Sequence, residues 1–394
     1  MKKIILISIL AVSLLASVVY ADTIEKEFDI AMGKKLIVDL ETGGSIYIKG
    51  WDQEKVWIKA HISGMDPDDY TFDFRDSSNE IIIESDHNRK WGKNSSKIEL
   101  LIKVPNKFIL DLETAGGSVE IDGVEGDVRG KTMGGGLEFS GLNGDIQFTT
   151  MGGGIDVENT KGYLTLKTMG GSISVEDSEV DGKVSTMGGS IEIENVKGNL
   201  KGKTMGGSVR YRDVTVSSED GENNVVRITT MGGSIDVDEA RAGVDVETKG
   251  GSIDIGSVNK FAKAMTYGGS IEIDAIDGWV NAKTMGGDIT VNMIGDPKTG
   301  RRDVELVSMG GDINLTVPDG LSMDFDVEIG YTKRARRDYQ IYSDFSMDIE
   351  ETTEWKWWSG DKKKYIYGTG SVDNGDHKII IKTTNGDVYI NKGA

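Results

Sequence analysis

The sequence predicts an all-β protein: a parallel β-helix (β-solenoid), right-handed, with about 18 residues per coil and irregular β-rich caps. Three observations predict it. A Thr-Met-Gly-Gly motif recurs at a fixed spacing, apolar residues alternate on both sides of it, and the composition is rich in glycine and poor in proline. The first glycine of each pair falls at Gly116, Gly134, Gly152, Gly170, Gly188, Gly206, Gly232, Gly250, Gly268, Gly286 and Gly310. The step is 18 throughout except for 26 after Gly206 and 24 before Gly310. The 53 glycines in 394 residues are about 13%, against a usual ~7%, and only 4 prolines occur. Glycine without proline, and without a collagen triplet, points to many tight turns between short strands.

Each repeat supplies two strands. In the unit starting at Thr186, Ile191 and Ile193 alternate with Ser190, Glu192 and Glu194, which is the period of a strand with one buried face. The same pattern returns at Ile155/Val157, Ile173/Val175, Ile235/Val237, Ile271/Ile273 and Ile289/Val291. A second alternation precedes the glycine pair, at Leu164/Leu166, Val244/Val246, Ala262/Ala264 and Val304/Leu306. Continued into the motif, it places the Thr inside and the Met outside or at the corner, with the glycines turning the chain. One unit has too little apolar surface to fold alone. Stacking buries each Ile or Val for roughly 1.5–3 kcal/mol, so only the array clears its ordering entropy. Coils stack about 4.8 Å apart, and ten steps make a rod on the order of 50 Å before the end pieces.

Other β architectures fit less well. A membrane barrel needs an apolar outer face, whereas the outward positions here hold Glu192, Glu194, Lys201 and Lys203. A propeller needs blades of roughly 40 residues, and nothing repeats at that length. A left-handed hexapeptide helix shares the coil length, but the inward positions lack a six-residue subperiod, which favours the right hand.

The expected organisation is a signal peptide at 1–21, an N-terminal β-rich region or cap at 22–112, the regular solenoid at 113–318, and a C-terminal β-rich cap at 319–394 with a final repeat-like strand. Lys2 and Lys3, the apolar run Ile4 to Val19 and Val19-Tyr20-Ala21 have the form of a cleavable secretory leader. The protein is therefore expected to be exported, to the periplasm, the cell surface or the medium. No cysteine occurs, which excludes disulfides and a cysteine-linked lipid. The net charge is −20, and loss of Lys2 and Lys3 makes it more negative. Such a chain repels nucleic acid. After the leader no apolar run is long enough to span a bilayer. Two insertions interrupt the repeat at one turn of the coil: an acidic one around Thr215 to Asn224 and a basic one around Gly295 to Arg302. Such insertions often carry binding; neutral loop growth is the alternative.

Several features together resemble a known family. They are the leader, the block Glu41-Thr-Gly-Gly-Ser-Ile-Tyr-Ile48, the strand end Ile102-Lys-Val-Pro-Asn106, the Gly-Gly-Ser-Ile repeats and the closing Lys382-Thr-Thr-Asn-Gly-Asp-Val-Tyr-Ile390. In that order they resemble the bacterial putative-adhesin β-strand-repeat family, a domain of unknown function. The resemblance implies a β-helix at or beyond the cell envelope and brings no catalytic residues with it.

The residues offer little chemistry. His61, His87 and His377 are scattered, and no zinc spacing, phosphate loop or dinucleotide fingerprint appears. The expectation is a non-enzymatic adhesin, scaffold or binding module without cofactor or metal. The alternative is a carbohydrate-active enzyme of the polysaccharide lyase or glycosidase type, since such folds can hold clefts lined with carboxylates. Expected partners are a glycan or a cell-surface or envelope protein, with self-association through the solenoid ends as a further option.

Three surface features stand out. Glu138, Asp156, Glu192, Asp236, Asp254 and Glu272 share one outward position, with Glu158, Glu176, Glu194 and Asp238 two residues on. Stacked like charges cost roughly a few tenths to 1 kcal/mol per pair, which bound Ca²⁺ would relieve; a solvated face is the plainer reading. Met133, Met151, Met169, Met187, Met205, Met231, Met285 and Met309 form a row, broken by Lys249 and Tyr267. If outward, the row is a candidate docking surface or a soft thioether site for Cu(I); packing at the corner is the alternative. Trp355, Trp357 and Trp358 would suit sugar stacking if exposed, or would fill a small cap core.

Overall fold

The computed structural model describes residues 21–63, 70–87, 97–214, 225–333, 338–358 and 361–393. Of the expected leader only Ala21 is described, as the first residue of the strand Ala21–Asp29; the rest lies outside the described residues, as does the acidic insertion at 215–224. Among the described residues there are strands and turns but no helix, and all strands belong to one 34-stranded sheet. The sheet coils into a nearly closed, solenoid-like stack.

Each layer has a leading strand before the glycine pair and a trailing strand after it. The leading strand Val128–Thr132 pairs in parallel with Ile109–Thr114 below and Asn143–Thr150 above, with Val128 opposite Leu110 and Ile146. The trailing strand Leu137–Ser140 pairs with Val119–Asp122 and Ile155–Glu158, with Leu137 opposite Val119 and Ile155. The isoleucine, valine and leucine columns thus lie on one another, and Leu164, Ile173, Val175, Ile191 and Ile193 are all buried. At two inward glycines of the leading strands a ring from a neighbour fills the space. A Cβ on Gly130 would lie 2.5 Å from the Phe148 ring, and one on Gly202 would lie 3.1 Å from the Tyr211 hydroxyl. That buried hydroxyl donates to the Leu200 carbonyl at 2.6 Å.

The glycine pairs turn the chain as expected, and they carry a second constraint. From Gly134 onward they bend the chain without entering the left-handed region, whereas Gly117 in the first pair has φ of 109°. Their constraint is the closeness of the next layer. A Cβ on the second glycine would meet backbone oxygen, at 2.3 Å for Gly171 on Gly153, 2.2 Å for Gly189 on Gly171 and 2.1 Å for Gly207 on Gly189. The first glycine has more room, as the 3.2 Å at Gly188 shows. The left-handed turn sits after the trailing strand instead. There Gly123, Gly141, Asn159, Asp177, Asn195 and Asp213 have φ of 69°, 64°, 51°, 48°, 51° and 47°. Asn and Asp are the residues that accept this conformation after glycine.

At both ends the chain order departs from the stacking order. The strands Lys35–Leu40 and Ser45–Trp51 lie between the Glu80–His87/Lys97–Pro105 layer and the Ile109–Thr114/Val119–Asp122 layer. At the other end His377–Thr384 and Val388–Lys392 lie between Val304–Ser308/Ile313–Val317 and Met323–Thr332/Ile341–Ser343. In each case the terminal layer is tucked in and the chain steps over it. The two steps share a pattern: Val104-Pro105-Asn106-Lys107-Phe108 and Val317-Pro318-Asp319-Gly320-Leu321, with both prolines and Phe108 and Leu321 buried. Antiparallel strands finish both ends. Lys55–Ser63 and Ala21–Asp29 extend from Lys97–Pro105, and Asp361–Val372 covers Met323–Thr332.

Candidate functional site

The motif threonine anchors the corner from inside. Thr168 Oγ1 donates to the Gly153 carbonyl at 2.7 Å and accepts from the Gly171 N–H at 3.3 Å; Thr186 repeats both bonds with Gly171 at 2.8 Å and Gly189 at 3.2 Å. A buried threonine and a glycine tight against the layer below leave the residue between them only one way to face, which is outward.

The structure therefore brings the methionines onto one edge of the stack. Exposure runs from 41% at Met169 to 58% at Met133, and Met151, Met187, Met205, Met231, Met285 and Met309 fall between. Neighbouring members are one layer apart, about 4.8 Å. Lys249 and Tyr267 interrupt the row, and Tyr267 is itself exposed. Ala115 at the first repeat and Thr384 in the tucked final layer stand at this position, so the methionine edge runs from Met133 to Met309. The edge is polarizable, apolar and built on a fully paired backbone.

The tryptophans lie elsewhere, in the antiparallel cap. Trp355 packs edge-on against Tyr331 at 5.7 Å, with Lys364 Nζ 5.4 Å over its ring. Trp357, on the strand Lys356–Trp358, is 70% exposed. The side chain of Trp358 lies outside what is described. An open pocket of about 450 Å³ borders this cap, lined by Tyr331, Tyr339, Ile341, Ile349, Glu351 and Ile366. The Tyr331 hydroxyl donates to the Glu351 carboxylate. Burial, and then Glu351, push the Tyr331 phenol up to about 12, so it stays protonated at neutral pH and acts as a hydrogen-bond donor.

The basic insertion is largely structural. Arg302 is buried, donating to the Ile294 carbonyl at 2.7 Å, the Thr299 carbonyl at 3.2 Å and Asp277 at 2.5 Å. Arg301 lies 4.7 Å over the Trp279 ring, which stacks on Phe261 at 5.1 Å. Arg301 and Lys298 are the exposed cations of the loop.

The acidic columns form as the period requires, but they are interrupted. Glu138 stands opposite Asp156 and Asp254 between Asp236 and Glu272, while Ser174 and Arg210 break the column. Arg210 lies 3.8 Å from Glu192 and 3.1 Å from Asp236, and Arg212 lies 3.5 Å from Glu194. Partial burial, then Asp236, Glu272 and Asp274, hold the Asp254 carboxyl above its ordinary value. No group of three or more His, Cys, Asp or Glu able to hold a metal ion occurs among the described residues. No helix among them is long and apolar enough to cross a membrane.

Sequence reading passed over two features. One is the Asn/Asp column in the left-handed turn, whose signal was the same eighteen-residue spacing. The other is the continuation of outward Lys201 and Lys203 into columns with Lys183 and Lys167 on the leading strands.

Residues 189–391, from the repeat through the tucked final layer, match the family Toastrack DUF4097. The chain belongs to that family. This agrees, at the level of a family of unknown function, with the resemblance read from the motifs. No curated protein matches the chain. Among solved structures, a "putative cell adhesion protein" from Clostridium sporogenes is 8% identical over 94% of this chain and 100% of that one, with a TM-score of 0.18. A "putative lipid binding protein" from Parabacteroides distasonis is 13% identical over 75% of this chain and 96% of that one, with a TM-score of 0.27. Overlap this low carries no argument about the present chain.

Proposed function

We propose that this protein is a non-enzymatic, exported scaffold or binding module of the adhesin-type Gly-Gly-Ser-Ile repeat class. It acts in the periplasm, at the cell surface or outside the cell. In this reading the body is a right-handed parallel β-helix with coils of about 18 residues, spanning 113–318 between the regions 22–112 and 319–394. The observation that supports it is the methionine edge. Eight thioethers stand 41–58% exposed along one corner. Unbranched, polarizable side chains adapt to a partner's contour, and apolar surface gathered in a line marks a contact site more than scattered residues do. The partner class is an envelope or cell-surface protein.

The test is binding of labelled protein to intact cells and isolated envelopes. The Met151→Lys/Met169→Lys/Met187→Lys/Met205→Lys variant should lose binding while keeping its melting temperature. Binding equal to wild type would remove the edge from the proposal, and fractionation of cells tests export separately. A glycan-binding reading rests on Trp357 instead, exposed beside the cap pocket. It predicts that Trp357→Ala alone abolishes retention on a glycan panel.

A further inference from the structure

The two strand faces that flank the methionine edge carry opposite charge. On the leading face from Val128–Thr132 to Val226–Thr229, the two outward columns nearest the edge hold Arg129, Lys131, Lys167, Lys183, Lys201, Lys203 and Arg227 and no acid, while Asp145, Glu179 and Asp181 lie outward farther from the edge. On the trailing face the corresponding columns hold Glu138, Asp156, Glu158, Asp236, Asp254, Glu272 and Asp274, with Arg210 and Arg212 as the interrupting cations. The segregation follows from the repeat: a residue type at one repeat position becomes a column on one face.

Much of this charge has no partner within the chain. Arg129, Lys131 and Arg227 lie within 4.0 Å of Asp127, Glu113 and Asp245. Lys167, Lys183, Lys201 and Lys203 make no ion pair among the described residues, and Lys183 stands directly opposite Lys201. On the other face Asp254 and Glu272 are opposite one another and also unpaired. Like charges in opposition destabilise both columns.

We infer that a second copy of this chain covers these faces, the lysine columns of one rod lying on the carboxylate columns of the next. Both sets of columns rise by the same interstrand step of about 4.8 Å, so a lysine can meet a carboxylate layer after layer without distortion. One contact relieves both like-charge columns. The pairing uses two different faces, so it is heterologous and does not close on itself; it propagates as a lateral row of rods. The net charge of −20 opposes this at long range. At physiological ionic strength that repulsion is screened beyond roughly 8 Å, whereas the facing columns are in contact.

Sedimentation velocity of the purified protein tests the pairing at about 0.1 M and about 1 M NaCl, where the screening length falls from roughly 10 to 3 Å. Wild type should associate with rising concentration at the lower salt and run as a monomer at the higher. Two charge reversals are compared, Lys167→Glu/Lys183→Glu/Lys201→Glu/Lys203→Glu and Asp254→Lys/Glu272→Lys/Asp274→Lys. All these side chains are outside the core, and melting curves check the fold. Each reversal should weaken association roughly tenfold or more, and an equal mixture of the two should restore it. A monomeric wild type at the lower salt overturns the inference. So does association that survives the lysine reversal, which points to the methionine edge or the rod ends. So does a wild-type monomer that binds dextran sulfate through these lysines, which assigns the face to a polyanion.

Discussion

The body and the ends of the stack are made from the same two-strand layer, but by different routes. In the body each layer follows its neighbour in sequence, and pairing needs only the next eighteen residues. At the ends the tucked layers pair with strands far along the chain: Ile379 stands opposite Val304, and Leu36 opposite both Ile81 and Leu110. The corner chemistry is nevertheless shared. Thr114 Oγ1 donates to the Gly44 carbonyl at 2.9 Å, and Thr383 Oγ1 to the Gly311 carbonyl at 2.6 Å, as the body threonines do to theirs. A layer is thus defined by its contacts above and below, and the route by which the chain arrives is a separate matter. Stepping over a layer and returning to fill it leaves the tucked strands Lys35–Leu40, Ser45–Trp51, His377–Thr384 and Val388–Lys392 paired on both sides, and puts antiparallel strands such as Ala21–Asp29 at the outer edge.

The largest effect should separate the two routes. Deleting residues 377–394 removes Ile379, Ile381, Val388 and Ile390, all fully buried. At about 1.5–3 kcal/mol each this rivals the roughly 5–15 kcal/mol stability of a whole domain. It also strands Met323–Thr332 one layer away from the body. Deleting one body repeat, residues 168–185, preserves every register. The truncation should yield no cooperative thermal transition by circular dichroism, whereas the repeat deletion should fold with a modestly lower melting temperature. Equal behaviour would erase the distinction.

A smaller effect should show what the two regions share. Alanine at Gly189 places a Cβ 2.2 Å from the Gly171 oxygen, and alanine at Gly386 places one 2.0 Å from the Gly311 oxygen. Both substitutions should destabilise by about 1–3 kcal/mol in urea denaturation. Gly188→Ala should stay within about 1 kcal/mol of wild type, because the same contact opens to 3.2 Å there.

Smaller still is the acidic ladder, which belongs to the body. A carboxyl held above its ordinary value of 3.8 binds its proton more readily in the folded chain. Stability therefore falls as pH rises through that raised value and returns below it. Asp254→Asn should raise the melting temperature slightly at pH 7, and the advantage should vanish in acid below pH 3.8. Millimolar Ca²⁺ should raise the wild-type melting temperature in the same direction; a calcium titration without a shift would remove cation relief from the account.

The smallest effect is expected on the edge itself. Met187→Gln should change stability by less than about 0.5 kcal/mol, since the side chain is 44% exposed. A larger loss would mean that the row is packed like a core and would return methionine to the architecture.

Legibility followed the period. The eighteen-residue spacing placed Ile191, Ile193 and Thr186 inside, because a strand has only two faces, and left Met187 outside or packed at the corner, which its 44% exposure decides. The same spacing collected Glu138 with Asp156 and Asp236 with Asp254. Glycine's turning role was legible but its closeness to the next layer was not, since a sequence names the residue but not the backbone about 2 Å from where a Cβ would sit. Trp355 and Trp357 share one strand region, yet the first packs on Tyr331 and the second is exposed; no pattern in Trp-Lys-Trp-Trp decides that. The acidic insertion at 215–224 lies outside the described residues, while the basic insertion proved to be held by Arg302.

By itself the sequence determined the all-β class, the repeating layer, the inward and outward columns and the spacing of the methionine row. Each of these depends only on residue spacing, which is local. Tertiary structure alone decided the order of layers at the two ends, the steps at Val104-Pro105 and Val317-Pro318, the tight glycine ladder and the exposure of the methionine row. Those depend on which distant backbone comes to lie a strand's width away, and no period in the chain records it.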